Sequence, residues 1–105
     1  MRAIPAELIA YHRAGKPLVC NISIQPWGCE FWPLNEVIEY NEDYQVAEFA
    51  PGYFGFATSG GGEMFSLSPS GRIVCLAFVG MNPKEELLVA ETWQHFEGML
   101  SNALR

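Results

Sequence analysis

A glycine-rich turn between two apolar runs is the feature that most constrains how this chain can fold. The runs Tyr53–Thr58 and Glu63–Leu67 flank a Ser-Gly-Gly-Gly sequence. Apolar and aromatic runs separated by glycine are typical of a β-hairpin with a longer loop. A third apolar run, Ile73–Val79, follows a Ser-Pro-Ser-Gly turn. The three runs therefore predict a β-meander in the middle of the chain.

The three glycines of the first turn, Gly60, Gly61 and Gly62, are predicted to form a structural loop. Glycine has no Cβ and adopts a positive φ easily, so we expect Gly61→Val to destabilise the fold. The alternative is a phosphate-binding loop, which requires Lys followed by Ser or Thr after the last glycine. Glu63 and Met64 stand there instead. The pattern therefore disfavours a nucleotide cofactor, and no other cofactor is predicted.

Five segments precede the meander. Apolar residues at helical spacing predict a helix over Ile4–Ala14, and alternation predicts a half-buried strand over Leu18–Ile24. Cys29–Trp32 is predicted to be extended because it leads into a proline. Leu34–Asn41 has the spacing of a short helix, and Glu42–Glu48 is predicted to be a connection.

The chain after the meander is predicted to end in a helix. Gly80–Glu86 is read as a loop, and Leu87–Ala90 is too short to assign as strand or helix. Thr92 is a suitable N-cap for the last helix. Its apolar stripe consists of Trp93, Phe96, Leu100, Ala103 and Leu104. We expect Trp93, Phe96 and Leu100 to pack on the sheet.

These elements together predict an α+β fold. The expected sheet is mixed or antiparallel, has about five strands around the central meander, and is flanked by N-terminal, middle and C-terminal helices. The length of 105 residues fits one domain over residues 1–105, and a hydrophobic fraction of 50% supports a packed core.

Cysteine use and hydropathy indicate a cytoplasmic protein. Three cysteines, Cys20, Cys29 and Cys75, form no C-x-x-C pair, so no metal site is predicted. Cys20 and Cys75 lie in apolar strand patterns and are expected to be buried free thiols, which suits a reducing compartment. No run approaches the ~20 apolar residues of a membrane span, so we expect no membrane partner.

The distribution of charge indicates which kinds of molecule the chain is expected to bind. The net charge is −6, and no Lys or Arg occurs between Lys16 and Arg72, a span that contains seven acidic residues. Such a span repels phosphate groups and disfavours nucleic acid as a partner. Two interpretations stay open: a solvated acidic face that aids solubility, or a docking surface for a basic protein.

The candidate binding residues combine this acidic span with nearby aromatic residues, which are frequent at interfaces and more frequent in small cores. The partner-binding candidates are Trp27, Trp32, Glu36, Glu39, Tyr40, Glu42, Asp43 and Tyr44. No catalytic constellation is legible in the sequence. The alternative enzyme hypothesis is a hydrolase or transferase that uses His12 or His95 with a glutamate.

Four short motifs, in order, carry a resemblance to a known family. They are Ile4–Leu8 in the first helix, Trp32–Asn41, the Gly-Gly-Gly-Glu hairpin with Phe65, and Thr92–Glu97. In this combination the chain resembles the SUKH superfamily of bacterial immunity proteins and yeast cell-wall regulators. The resemblance covers most of the chain.

The resemblance implies an α+β binding domain without catalysis. Many members neutralise a cognate toxin domain, often a nuclease, by direct contact. A basic toxin domain is thus one expected partner. The alternative within the same fold is a regulatory or scaffold protein that has no toxin partner.

Overall fold

The computed structural model describes residues 3–104, which form four α-helices, a short 3₁₀ turn and seven strands. The helices are α1 (Ala6–Arg13), α2 (Val37–Asp43), α3 (Val46–Phe49) and α4 (Trp93–Gly98), and the 3₁₀ turn is Pro83–Glu85. The strands are β1 (Val19–Ile22), β2 (Gly28–Phe31), β3 (Phe54–Thr58), β4 (Glu63–Leu67), β5 (Ile73–Ala77), β6 (Leu87–Ala90) and β7 (Leu100–Asn102). No helix in this part of the chain is long and apolar enough to cross a membrane.

All seven strands belong to one antiparallel sheet with the order β6-β5-β4-β3-β2-β1-β7. The predicted α+β class is confirmed, and the meander β3-β4-β5 lies where the apolar runs indicated. Leu87–Ala90 is a strand, which decides the assignment that periodicity left open. The sheet has two more strands than the predicted five or so, because the chain adds β6 and β7 at its two edges.

The predicted last helix is wrong in its second half. α4 ends at Gly98, and Leu100–Asn102 pairs with β1 as an antiparallel strand. Glycine is a poor helix former, and β1 would otherwise be an unpaired sheet edge, so pairing outweighs continuation of the helix. Leu100 and Ala103 therefore do not share a helical stripe with Phe96. Leu104 is 77% exposed.

A second correction concerns the segment predicted as a connection after α2. Val46–Phe49 is a one-turn helix, separated from α2 by Gln45 at φ +57°. A positive φ cannot continue a right-handed helix, so the chain breaks there and restarts. Val46 is 1% exposed, which shows that this turn is anchored in the core.

The glycine loop differs from the sequence prediction in one position. Gly60 and Gly62 have φ of +82° and +103°, whereas Gly61 does not have a positive φ. The reason given for the Gly61→Val effect is therefore wrong. Ser59 organises the loop, because its Oγ accepts hydrogen bonds from the backbone N–H of Gly61 at 3.0 Å and of Glu63 at 3.2 Å.

The helices pack on both faces of the sheet. The Phe31 ring stacks on Tyr11 of α1 at 4.4 Å and contacts Phe96 of α4, whereas Trp32 stacks on Tyr40 of α2 at 4.7 Å. Successive residues of an extended chain point to opposite faces. α1 and α4 thus cover one face of the sheet, and α2 covers the other.

The core on the α4 side is aromatic. Phe56, Phe65 and Phe96 are all fully buried, and the ring of Phe96 lies 5.6 Å from that of Phe56 and 5.9 Å from that of Phe65. The predicted packing of Trp93 and Phe96 on the sheet is confirmed. Cys20 and Cys75 are buried free thiols, as expected, and so is Cys29.

Candidate protein-binding surface

The buried face of α2 decides which of its residues reach solvent. Val37 and Asn41, four residues apart, are both buried and point toward the sheet. The remaining face carries the predicted acidic residues, and all four are exposed: Glu36, Glu39, Glu42 and Asp43. The ion pairs formed within residues 3–104 involve none of these carboxylates. Among the described residues, no cationic side chain therefore pairs with these carboxylates.

Next to these carboxylates lies a stack of aromatic rings. Trp32 stacks on Tyr40 and on Tyr44, with centroid distances of 4.7 and 6.0 Å, and Tyr44 also contacts Phe78 at 4.4 Å. Trp32 is 6% exposed and Tyr44 is 40% exposed. Trp32 thus supports the stack from within, and Tyr44 is the ring that a partner can reach.

The helix α3 extends this surface with a residue that the sequence analysis missed. Phe49 is 47% exposed, and Glu48 beside it is also exposed. A cavity of about 370 Å³ lies between α2, α3 and β3, and one of about 350 Å³ lies between Phe49 and Phe78. The exposed residues Glu36, Glu39, Glu42, Asp43, Tyr44 and Phe49 are called the α2–α3 surface below. The sequence would have indicated Phe49 only if Val46–Phe49 had been predicted as a helical turn instead of a connection.

Trp27, the last of the predicted binding residues, lies apart from the α2–α3 surface. Its side chain, 59% exposed, lines a groove with Cys75 and Leu87. Cys75 pairs directly with Phe65, whose ring contacts Phe96 of α4. Cross-strand partners share a face, so this groove opens on the α4 face. The structure thus divides the predicted residues between the two faces of the sheet.

The two histidines do not form a recognisable reactive site. His12 lies against Tyr11 and Phe31, and its buried Nε2 has no hydrogen-bond partner among residues 3–104. Burial lowers the pKa of His12 below its usual value. His95 is exposed at the start of α4, where its backbone N–H donates to Oγ1 of Thr92. Within residues 3–104, no three His, Cys, Asp or Glu side chains are grouped as metal ligands.

Comparison with known proteins identifies the family. Among curated proteins, none matches this chain. The model of the SMI1 / KNR4 family (SUKH-1) matches residues 3–101, which includes every element from α1 to β7 except the last residue of β7. A match over nearly the whole chain confirms the resemblance carried by the four motifs. The chain belongs to the SMI1 / KNR4 family (SUKH-1).

Proposed function

We propose that this chain is a non-catalytic binding domain that neutralises a basic toxin domain by direct contact through the α2–α3 surface. Family membership supports a binding role. The observation that carries the proposal is the set of four exposed carboxylates on α2 without a cation partner among residues 3–104, beside the exposed rings of Tyr44 and Phe49.

Two physical effects favour this surface. Uncompensated carboxylates create a negative potential that attracts a basic partner and raises the association rate. The exposed rings of Tyr44 and Phe49 bury apolar area on contact, which slows dissociation, and aromatic residues are frequent binding hot spots. The acidic residues thus govern encounter, and the rings govern the lifetime of the complex.

The test co-expresses this chain with any toxin-like protein that a neighbouring gene is found to encode. We expect the chain to restore growth and to bind the isolated toxin domain. Replacing both Glu39 and Glu42 with Lys should slow association about tenfold at low salt and flatten its salt dependence. Folding stability should change by no more than about 0.5 kcal/mol, since both residues are exposed.

The matched control carries the same change of charge elsewhere. Glu7 on α1 and Glu85 in the 3₁₀ turn are exposed, and replacing both with Lys should leave most of the association rate intact. Equal slowing by both double variants would show that net charge, rather than the α2–α3 surface, governs binding. Binding to a basic protein without protection from any toxin would favour the regulatory alternative.

A further inference from the structure

The loop between β1 and β2 forms a groove over the α4 face of the sheet. The groove has a volume of about 260 Å³ and is lined by residues that include Trp27, Glu63, Cys75, Leu87 and Leu88. Trp27, Leu87 and Leu88 are 59%, 63% and 49% exposed. A concave site lined by exposed apolar side chains is typical of a binding site.

The backbone presents Trp27 in a conformation that is unfavourable for a residue with a side chain. Its φ is +73°, in the left-handed region where non-glycine residues are uncommon. Two hydrogen bonds hold it there: Trp27 N–H donates to the Ile24 carbonyl, and Ile22 N–H donates to the Trp27 carbonyl, both at 2.9 Å. A glycine would fit this backbone better, so the conformation of the turn does not itself require a tryptophan at this position.

A carboxylate lies on the lining of the groove. Glu63 is half-buried at the start of β4, and its Oε1 accepts a hydrogen bond from Ser59 Oγ at 2.7 Å. Within residues 3–104 it forms no ion pair. Burial, with the charge of Glu63 as a second cause, raises the pKa of Cys75 to about 12. A smaller cavity of about 140 Å³ shares Glu63, Cys75 and Leu87 and adds Glu85.

We propose that this groove binds an arginine side chain on an extended segment of a protein partner. The guanidinium group stacks on the indole of Trp27 and pairs with the carboxylate of Glu63, and the aliphatic part of the side chain packs on Leu87, the cross-strand partner of Cys75. A planar guanidinium matches both an aromatic face and a carboxylate, and its stem covers apolar surface. An apolar ligand would leave the charge of Glu63 without compensation, and an acidic ligand would be repelled.

The position of β6 explains why the segment is extended. β6 is the last strand of the sheet and pairs only with β5 among the strands in residues 3–104. An edge strand can accept a further strand through its backbone groups, and side chains of that strand then enter neighbouring pockets. Leu87 and Leu88 belong to β6 and also line the groove. This site lies on the opposite face from the α2–α3 surface and does not depend on the proposed toxin partner.

The test titrates the protein with an acetylated pentapeptide that has arginine at its centre, flanked by valine and threonine. NMR of the Trp27 indole N–H, assigned with the Trp27→Phe variant, reports binding. We expect saturable binding below about 1 mM, weaker binding of the lysine peptide, and at least about fivefold weaker binding of the citrulline peptide, which keeps the shape but lacks the charge.

Two variants separate binding from folding. Trp27→Gly suits the positive φ and should leave the melting temperature unchanged or higher while abolishing arginine-peptide binding, observed then through the backbone N–H of Leu88. Glu63→Gln retains an oxygen to accept from Ser59 and should weaken binding at least about fivefold. Glu36→Gln on the α2–α3 surface is the control and should change nothing.

The proposal is overturned if the arginine peptide produces no saturable shift or if the citrulline peptide binds equally well. The proposal is also overturned if Trp27→Gly or Glu63→Gln binds the arginine peptide as tightly as the native chain does. Equal affinity for the lysine peptide would overturn the assignment of a guanidinium ligand. None of these results affects the proposed function, because the toxin assay probes the other face.

Discussion

The side-chain amide of Asn41 hydrogen-bonds both backbone groups of Gly55. Asn41 Nδ2 donates to the Gly55 carbonyl, and Gly55 N–H donates to Asn41 Oδ1, each at 2.8 Å. Nδ2 also donates to the Val37 carbonyl at 2.8 Å. The β3–β4 register shifts between Gly55 and Ala57. Asn41 thus satisfies the backbone at an irregularity of β3 and fixes the acidic helix α2 at that point of the sheet.

Replacing Asn41 with Ala should destabilise the fold by about 2–3 kcal/mol, because the N–H and carbonyl of buried Gly55 lose their partner. Chemical denaturation measures the loss. The control is Asn35→Ala, since Asn35 is exposed just before α2 and should cost less than about 0.5 kcal/mol. Equal, small losses in both variants would contradict the structural role of Asn41.

Asn41→Asp tests the donor half of the same interaction. An ionised carboxylate accepts from the Gly55 N–H but cannot donate to its carbonyl, whereas a protonated carboxyl does both. The stability deficit of this variant relative to the native chain should therefore be larger at pH 7 than at pH 4, when both proteins are denatured at each pH. A deficit that is independent of pH would show that the amide N–H contributes little.

The end of α4 at Gly98 leads to a further prediction. Phe96 is fully buried among Phe31, Phe56, Phe65 and Trp93, so Phe96→Ala should cost about 3–5 kcal/mol. Leu104→Ala should cost less than about 0.5 kcal/mol, because Leu104 is 77% exposed. A continuous helix with one apolar stripe would make both changes costly. Thermal or urea denaturation of the two variants distinguishes these arrangements.

Local sequence patterns predicted the elements whose own residues determine them. The meander depends on apolar runs and glycine turns that are adjacent in the chain, and α1 depends on its own spacing. β7 could not be predicted in this way, since Leu100–Asn102 becomes a strand only because β1, some eighty residues earlier, offers an edge. The break at Gln45 was missed because glutamine rarely adopts a positive φ.

The same distinction explains the site predictions. The exposure of Glu36 and Glu39 follows from the helical spacing of Leu34–Asn41, which the sequence shows directly. Glu42 and Asp43 were predicted to lie in a connection, whereas α2 continues through both. The separation of Trp27 from Tyr44 depends on which face of the sheet each loop and helix covers. Phe78 follows the end of β5, and its ring contacts that of Tyr44, which lies much earlier in the chain. Contacts of this kind are non-local and cannot be read from a pattern in the sequence.

Another prediction concerns the glycine loop, where Gly62 has a positive φ and its neighbour Gly61 does not. Gly62 has φ +103°, and an added Cβ would contact no atom of the described residues outside its own chain neighbours within 4 Å, so the cost of Gly62→Ala comes from backbone conformation. We expect a loss of about 1–2 kcal/mol. Gly61→Ala is the matched control, because its φ is not positive and an added Cβ would lie 3.6 Å from the nearest atom. Equal effects at the two positions would show that the loop adopts another conformation.

The last prediction concerns acid stability and His12. Burial lowers the pKa of His12 in the folded state, and no group in the described part of the chain hydrogen-bonds its Nε2. The unfolded chain therefore takes up a proton near the ordinary histidine pKa of about 6.5, while the folded chain stays neutral until a lower pH. Folding stability that is present above this pH is lost as the pH falls toward the folded-state pKa.

His12→Phe keeps an aromatic ring beside Tyr11 and Phe31 but does not titrate. Relative to the native chain, this variant should become more stable as the pH falls from 7 to 5, as measured by urea denaturation at both pH values. A stability difference that is the same at both pH values would contradict the assignment.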